Sequence, residues 1–271
     1  MGEDAELCHQ IISCEGEIFI PLYCHIREKM KELSVITVTY NAELTLERTL
    51  KSVGEQSYPS IEHIIVDGKS ADGTIQLIKR SENEHMIWLS EQDKGLYDAM
   101  NKAARMAGGD YLCFLNAGDT FFASDTVEKM MRTIEDGEAP DIIYGETAIV
   151  DEKGIFLHMR RLRAPEKLTW KSFRQGMLIC HQAFIVKREL FEPYDLSYRF
   201  SSDFDWCIRM MKKSKNLHNT HLTLINYLHE GMTTVNRKAS LKERYHIMVH
   251  YYGQISTFLH HIWFAIRAIL K

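Results

Sequence analysis

Between residues 33 and 115, short β-branched runs alternate with helix-type periodicity, and this alternation constrains the fold more than any other feature of the chain. Leu33-Ser-Val-Ile-Thr-Val-Thr39 reads as a strand buried on both faces, followed by helical spacing at Leu44, Leu46, Leu50 and Val53. Glu62-His-Ile-Ile-Val-Asp67 is a second strand, and Asp72-Gly-Thr opens a second helix. Met86-Ile-Trp-Leu-Ser90 is a third strand, residues 97–107 a third helix, and Tyr111-Leu-Cys-Phe-Leu115 a fourth strand. Such β-α repetition predicts an α/β fold with a mostly parallel sheet and helices on both faces. Sheets of this kind bind ligands beyond the carboxyl ends of their strands. Thr39-Tyr-Asn41, Asp67-Gly68, the stretch from Glu91 to Gly95 and the stretch from Asn116 to Asp119 all fall at those ends, so four polar clusters converge on one rim.

Beyond a further helix at 126–134 the pattern changes. Residues 141–150 and 154–161 read as a hairpin, 165–173 and 204–213 as helices, 182–187 and 221–228 as strands. From Lys238 onward there is no proline, and Gly253 separates two helical stretches. The organisation expected is an N-terminal extension over 1–32, a catalytic domain over 33–235, and a C-terminal helical extension over 236–271.

Charge is unevenly shared. Residues 1–150 hold 13 Lys/Arg against 27 Asp/Glu, and residues 151–271 hold 20 against 10. No basic stripe covers the whole chain, which argues against a nucleic-acid partner. The asymmetry suits a metal in the acidic half and anionic groups or a membrane surface at the basic half. The six cysteines form no CxxC pair or zinc spacing, so a reducing compartment is expected. No basic n-region precedes an apolar stretch near Met1, and no run reaches 18 apolar residues, so neither a signal peptide nor a membrane span is expected.

Each polar cluster has a functional and a plain structural interpretation. Asp67 at a strand end can accept hydrogen bonds from a base or ribose, or simply stabilise a turn. Asp119, preceded by Gly118, can hold a divalent cation through oxygen, or cap a turn. Lys94 and the helix start after Gly95 can meet phosphate, or form a solvated loop. Asp203 and Asp205 stand two apart at a helix start and diverge by about 200°, so at most one enters a site; Asp203 there suits a general base or an N-cap. The 13 histidines show no HExxH or Cys/His pairing, and no zinc site is expected.

Together these segments resemble family 2 glycosyltransferases of the GT-A fold. The 33–41 segment is similar to that family's opening strand and donor loop. Ile64-Ile-Val-Asp-Gly-Lys-Ser-Ala-Asp-Gly-Thr74 is similar to its nucleotide-binding signature. Ser90-Glu-Gln-Asp-Lys-Gly-Leu-Tyr-Asp-Ala-Met-Asn101 and Phe114-Leu-Asn-Ala-Gly-Asp119 resemble the sub-branch containing colanic-acid-type exopolysaccharide transferases. The resemblance implies that Thr39, Asn41, Asp67 and Asp93, with Lys94 and Gly95, line a nucleotide site. It implies that Asp119 binds the Mn²⁺ or Mg²⁺ bridging the donor diphosphate, with His229 a late metal or phosphate contact. It further implies that Asp203 deprotonates the acceptor hydroxyl and that His181-Gln182 lies by the donor or acceptor sugar. Two departures stand out: Asn116 and Gly118 leave Asp119 as a lone carboxylate in its motif, and Ser202-Asp203 replaces the usual Glu-Asp.

The function implied is inverting, metal-dependent transfer of a sugar from a nucleotide-sugar, a UDP-sugar above all, to a saccharide or lipid-linked saccharide in surface polysaccharide biosynthesis. The thinned metal motif keeps a second expectation open, a non-catalytic nucleotide-binding or assembly protein on the same fold. The resemblance also implies a cytoplasmic location with peripheral contact at the inner face of the plasma membrane. Residues 255–270, rich in Ile, Phe, Trp and Leu but too short to span, fit an interfacial helix equally with one packed on the domain or in a homodimer interface.

Overall fold

In the computed structural model the seven residues of β1 (Leu33–Thr39) are all buried, as expected of a strand covered on both faces. The structure describes residues 30–135, 137–229 and 237–269. The extension expected over 1–32 therefore falls almost wholly outside the described residues, as do residues 230–234 of the His229 motif. From Lys31 onward the chain forms one unit.

Parallel pairing builds the first half of the sheet. β1 lies between β2 (Ile61–Asp67) and β4 (Tyr111–Phe114), and β3 (Met86–Ser90) pairs with β2 at the edge. The register sets Thr39 beside Asp67 and Asp67 beside Ser90, so three strands end in line. The second half is mixed: β8 (Phe184–Lys187) runs antiparallel to both β4 and β6 (Ile142–Val150), while β9 (Leu217–Leu228) runs parallel to β6. The strand order is β3-β2-β1-β4-β8-β6-β9 and then the edge strand β5 (Thr120–Phe121), with β7 (Phe156–Met159) paired to β6 as the expected hairpin. β5 runs antiparallel to β9 and is too short to show a period in the sequence.

Helices α1 (Leu46–Gly54) and α2 (Thr74–Arg80) close a small core of Leu46, Leu50, Ile65 and Ile78. The main core includes α3 (Leu96–Met106), α4 (Thr126–Arg132) and α5 (Ser202–Lys213). At its centre the Trp206 ring, fully buried, meets Phe114, His181, Phe184 and Tyr194 with centroids 4.9–5.9 Å away. Trp206→Ala would cost about 3–5 kcal/mol by its lost burial and residual cavity. Cys113, Cys180 and Cys207 are free and buried, behaving as small apolar side chains.

One helix expected from the sequence is corrected. Residues 165–173 do not form an α-helix; only Trp170–Gln175 coils, as a 3₁₀ turn opened by a Thr169–Ser172 capping box. The strand expected from Gln182 begins at Phe184, because His181–Ala183 is another 3₁₀ turn. Two C-terminal helices, Arg237–Tyr252 and Gln254–Ile269, are separated by Gly253. No helix among the described residues is long and apolar enough to cross a membrane.

Candidate functional site

At the carboxyl ends of β1 and β2 two loops are tied together by side chains. The Asp67 carboxylate is fully buried and accepts from Thr39 Oγ1 (2.9 Å), the Ser70 amide (2.9 Å), Ser70 Oγ and Ser90 Oγ (2.7 Å). A carboxylate offers about four acceptor sites, and four donors meet this one. Asn41, at φ 49°, receives the Ser70 hydroxyl as acceptor for its amide and takes the Ala71 amide on Oδ1 at 2.9 Å. The Ala42 amide likewise donates to Thr74 Oγ1 at 2.8 Å.

Asp93 sits against this loop pair. A Cβ placed on Gly68 would come within 2.6 Å of Asp93 Oδ2, so a side chain there would push the Asp93 carboxylate aside. Asp93 Oδ1 accepts the Gly95 amide at 2.8 Å and thereby shapes the start of α3. The Lys94 side chain is exposed, while its amide donates to Asp98 Oδ2 at 3.0 Å. Glu91 is engaged by Lys102 at 2.7 Å.

A cavity of about 230 Å³ opens beside this rim. Asp203, in the first turn of α5, lines it, and Tyr97 Oη donates to Asp203 Oδ1 at 3.1 Å. Burial and the neighbouring Asp203 charge push the Tyr97 phenol well above its usual pKa, so it remains a donor. Asp205 turns away: it is paired with Arg209 at 2.7 Å and accepts from Tyr251 Oη at 2.8 Å. His181 also lines the cavity, within 2.7 Å of Tyr194 Oη and packed on the Phe114 and Trp206 rings. Burial drives its pKa down to about 4, so the imidazole is neutral at physiological pH.

Behind Gln182 lies Asp119. Gln182 Nε2 donates to Asp119 Oδ2 at 2.7 Å and the Leu228 amide to Oδ1 at 2.9 Å. The turn delivering Asp119 requires Gly118, whose φ is 101° and whose added Cβ would stand 2.8 Å from Leu228 Cδ2. Burial raises the Asp119 pKa to about 7; the Leu228 and Gln182 hydrogen bonds and the Arg48 charge act against that rise. In the same turn Asn116 Oδ1 is buried without a hydrogen-bond partner among the described residues, and Asn116 faces the cavity.

This donor set can be tested against a cation. Among the described residues no group of three or more His, Cys, Asp or Glu gathers, which does not suit a four-ligand zinc site. One buried carboxylate beside an orphaned amide oxygen does suit a hard cation that keeps water and phosphate oxygens in its shell. His229 directly follows Leu228, with an exposed side chain and its amide bonded to Val150 O at 3.0 Å.

The cavity thus joins Asp203, His181 and Gln182, with Asp119 beneath Gln182. Thr39, Asn41 and Asp67 knit the adjoining loops. Asn116, part of the fourth rim cluster, lines the cavity as well; Tyr97, Arg199 and Arg244 also line it, and sequence reasoning missed those three. Tyr97 lay inside a quoted motif, while Arg244 sits on a helix far from every motif and gave no signal.

Comparison with known proteins places the chain in a family and a fold. The profile described as Glycosyl transferase family 2 matches residues 34–194. A PGL/p-HBAD biosynthesis glycosyltransferase of Mycobacterium bovis (strain BCG / Pasteur 1173P2) is 31% identical over 182 residues, covering 65% of this chain and 68% of that protein. A putative teichuronic acid biosynthesis glycosyltransferase, TuaG of Bacillus subtilis (strain 168), is 29% identical over 200 residues, covering 72% and 78%. Among solved structures, S. aureus TarS 1-349 in complex with UDP-GlcNAc superposes with a TM-score of 0.63 at 18% identity. That alignment covers 80% of this chain and 64% of the TarS chain, a likeness of fold.

Proposed function

The chain belongs to glycosyl transferase family 2 and is a glycosyltransferase, and on that premise we propose that it transfers a sugar from a UDP-sugar, with inversion, to a saccharide or lipid-linked saccharide acceptor in surface polysaccharide synthesis. One observation carries the proposal: Asp203 lines the same cavity as Asn116 and Gln182, and Gln182 is bonded to the buried Asp119. The polysaccharide-related names of the relatives and the UDP-GlcNAc bound by TarS support the choice of acceptor class and donor.

Asp203 acts as the general base. It takes the proton of the acceptor hydroxyl while that oxygen bonds to the anomeric carbon from the face opposite the departing diphosphate. The Tyr97 hydroxyl orients the carboxylate, leaving its second oxygen for the acceptor. His181, neutral and aromatic-packed, positions the sugar by hydrogen bonding and carries no charge into the reaction. Asp67 organises the nucleotide site from beneath, holding Thr39, Ser70 and Ser90 so that Asn41, Asp93 and the Lys94-Gly95 helix start face the nucleotide. Asp119 with Asn116 Oδ1, and His229 as a third contact, would hold Mn²⁺ or Mg²⁺, which stabilises the leaving diphosphate when bound.

The C-terminal helices complete the catalytic unit in this proposal, since Arg244 lines the cavity. Along the second of them Ile255, Phe258, Leu259, Ile262, Trp263 and Ile266 form an exposed stripe at helical spacing, which supports peripheral membrane contact.

The test is turnover. Purified protein is incubated with Mn²⁺, a panel of UDP-sugars and saccharide acceptors, and released UDP and product configuration are measured. The proposal expects UDP release with an inverted glycosidic product, abolished in Asp203→Asn. Product of retained configuration, or undiminished turnover in Asp203→Asn, would overturn it.

A further inference from the structure

Three arginines line the cavity, and they are not equivalent. Arg160 is committed to the fold: its guanidinium donates to the carbonyls of Leu162 (3.1 Å), Leu178 (2.9 Å) and Met177 (2.7 Å). The guanidinium groups of Arg199 and Arg244 have only aromatic partners among the described residues, and the Glu243 carboxylate near Arg199 is taken by the Arg199 and Phe200 amides at 3.0 and 2.9 Å. The Arg199 guanidinium carbon lies 5.5 Å from the Phe200 ring centroid, and that of Arg244 lies 5.7 Å from the Phe204 centroid. Arg244 Nε is buried with no hydrogen-bond partner among the described residues, a donor left without an acceptor. Among the described residues Asp203 is the single acidic side chain lining the cavity, and Tyr97 already occupies one of its oxygens. The cavity thus holds positive charge that its own residues do not satisfy.

Position decides which reactant this charge serves. Arg199 and Phe200 lead directly into Asp203, and Arg244 packs on Phe204, the next residue after it. Both cations are therefore tied to the segment that carries the general base, Arg199 four residues before Asp203 and Arg244 on the ring of its neighbour Phe204, whereas Gln182 is bonded to Asp119. A guanidinium pair matches a planar or tetrahedral oxyanion through paired N–H donors. We propose that Arg199 and Arg244 form an oxyanion subsite for the acceptor, so that the enzyme selects a sugar bearing a phosphate or carboxylate close to its reacting hydroxyl. This rests on the assignment of Asp203 as the acceptor-side base.

The test uses the full chain saturated with UDP and Mn²⁺, which occupies the donor side. Glucose, glucose 1-phosphate and glucuronate are titrated calorimetrically into wild type, Arg199→Gln, Arg244→Gln, the double variant and Arg244→Lys, and UDP affinity is measured in each. At least one charged probe should bind tenfold or more tightly than glucose, phosphate and carboxylate being told apart by which one does so. The preference should vanish in the double variant and survive in Arg244→Lys, with UDP affinity within twofold throughout. Equal binding of the three probes by wild type, no binding of any, or a preference surviving in the double variant would overturn the subsite. A tenfold loss of UDP affinity in the arginine variants would overturn it too, by assigning them to the donor diphosphate. Wild type that binds no UDP defeats the donor reading instead, and the anion titration without nucleotide still decides the subsite.

Discussion

Replacing Gln182 by leucine shifts the ionisation of Asp119; it also removes the Oε1 that accepts the Cys180 thiol at 2.9 Å, a loss that lowers stability without moving the Asp119 titration. The substitution removes the amide that donates to Oδ2 at 2.7 Å and leaves the Leu228 amide on Oδ1. A hydrogen bond to a charged group contributes about 1.5–3 kcal/mol, and 1.36 kcal/mol corresponds to one pH unit, so the Asp119 pKa should climb roughly one to two pH units above its wild-type value. That wild-type value is about 7, raised by burial from an ordinary 3.8. The folded protein therefore holds a proton that the unfolded chain releases from about pH 4 upward. Stability from this group is present below pH 4 and is lost as pH rises to about 7 in wild type, and further, to about 8–9, in Gln182→Leu. His63 and His181, both lowered to about 4 by burial, contribute the opposite slope between pH 4 and 6.5. They do so equally in both proteins and cancel in the difference. Urea unfolding of the pair should show a stability gap that widens by about 1.5–3 kcal/mol between pH 6 and pH 10. Carboxyl NMR of aspartate-labelled protein should show the matching upward displacement. A constant gap, or an Asp119 resonance titrating near pH 4, would refute the burial argument.

Asp203→Asn should lower kcat by about 10²–10⁴ while leaving UDP affinity unchanged, because a positioned base contributes that much to the proton-transfer step; parallel loss of UDP binding would move Asp203 to the donor site. Gly118→Ala should destabilise the fold by about 1–3 kcal/mol through its left-handed backbone and the contact with Leu228, and should weaken manganese-dependent binding, as read by denaturation and calorimetry. Because His181 stays neutral down to about pH 4, the pH–rate profile should lack an imidazole limb near 6.5 that disappears in His181→Gln. A limb near 6.5 lost in that variant would contradict the neutral imidazole.

The parallel half of the sheet was legible in the sequence because its strands carry compact β-branched and apolar runs, buried throughout in β1 and half-buried at the edge in β3. β1 and β3 start and end where their β-branched and apolar runs do. The second half was harder to read. The helix expected over 165–173 is held by side-chain caps and tertiary contact as a short 3₁₀ turn, and β5 has two residues. At the site, Asp119 stood out because it follows a strand and Asp203 because it opens a helix, whereas His181 and Gln182 came only from the family resemblance. Motif spacing did not foretell that Asp67 would be saturated by Thr39, Ser70 and Ser90, because Thr39 and Ser90 reach it only through strand register and Ser70 only through the turn after β2. Arg244 was invisible for the same reason: its place in the cavity depends on how a C-terminal helix packs on α5.

The most direct test of the nucleotide-sugar account is calorimetric titration of UDP, then GDP, into the full chain with and without Mn²⁺, alongside Asp119→Ala. The account expects UDP to bind in preference to GDP, to bind more tightly with Mn²⁺, and to lose that manganese dependence in Asp119→Ala. Absence of binding by either nucleotide under every condition would contradict it.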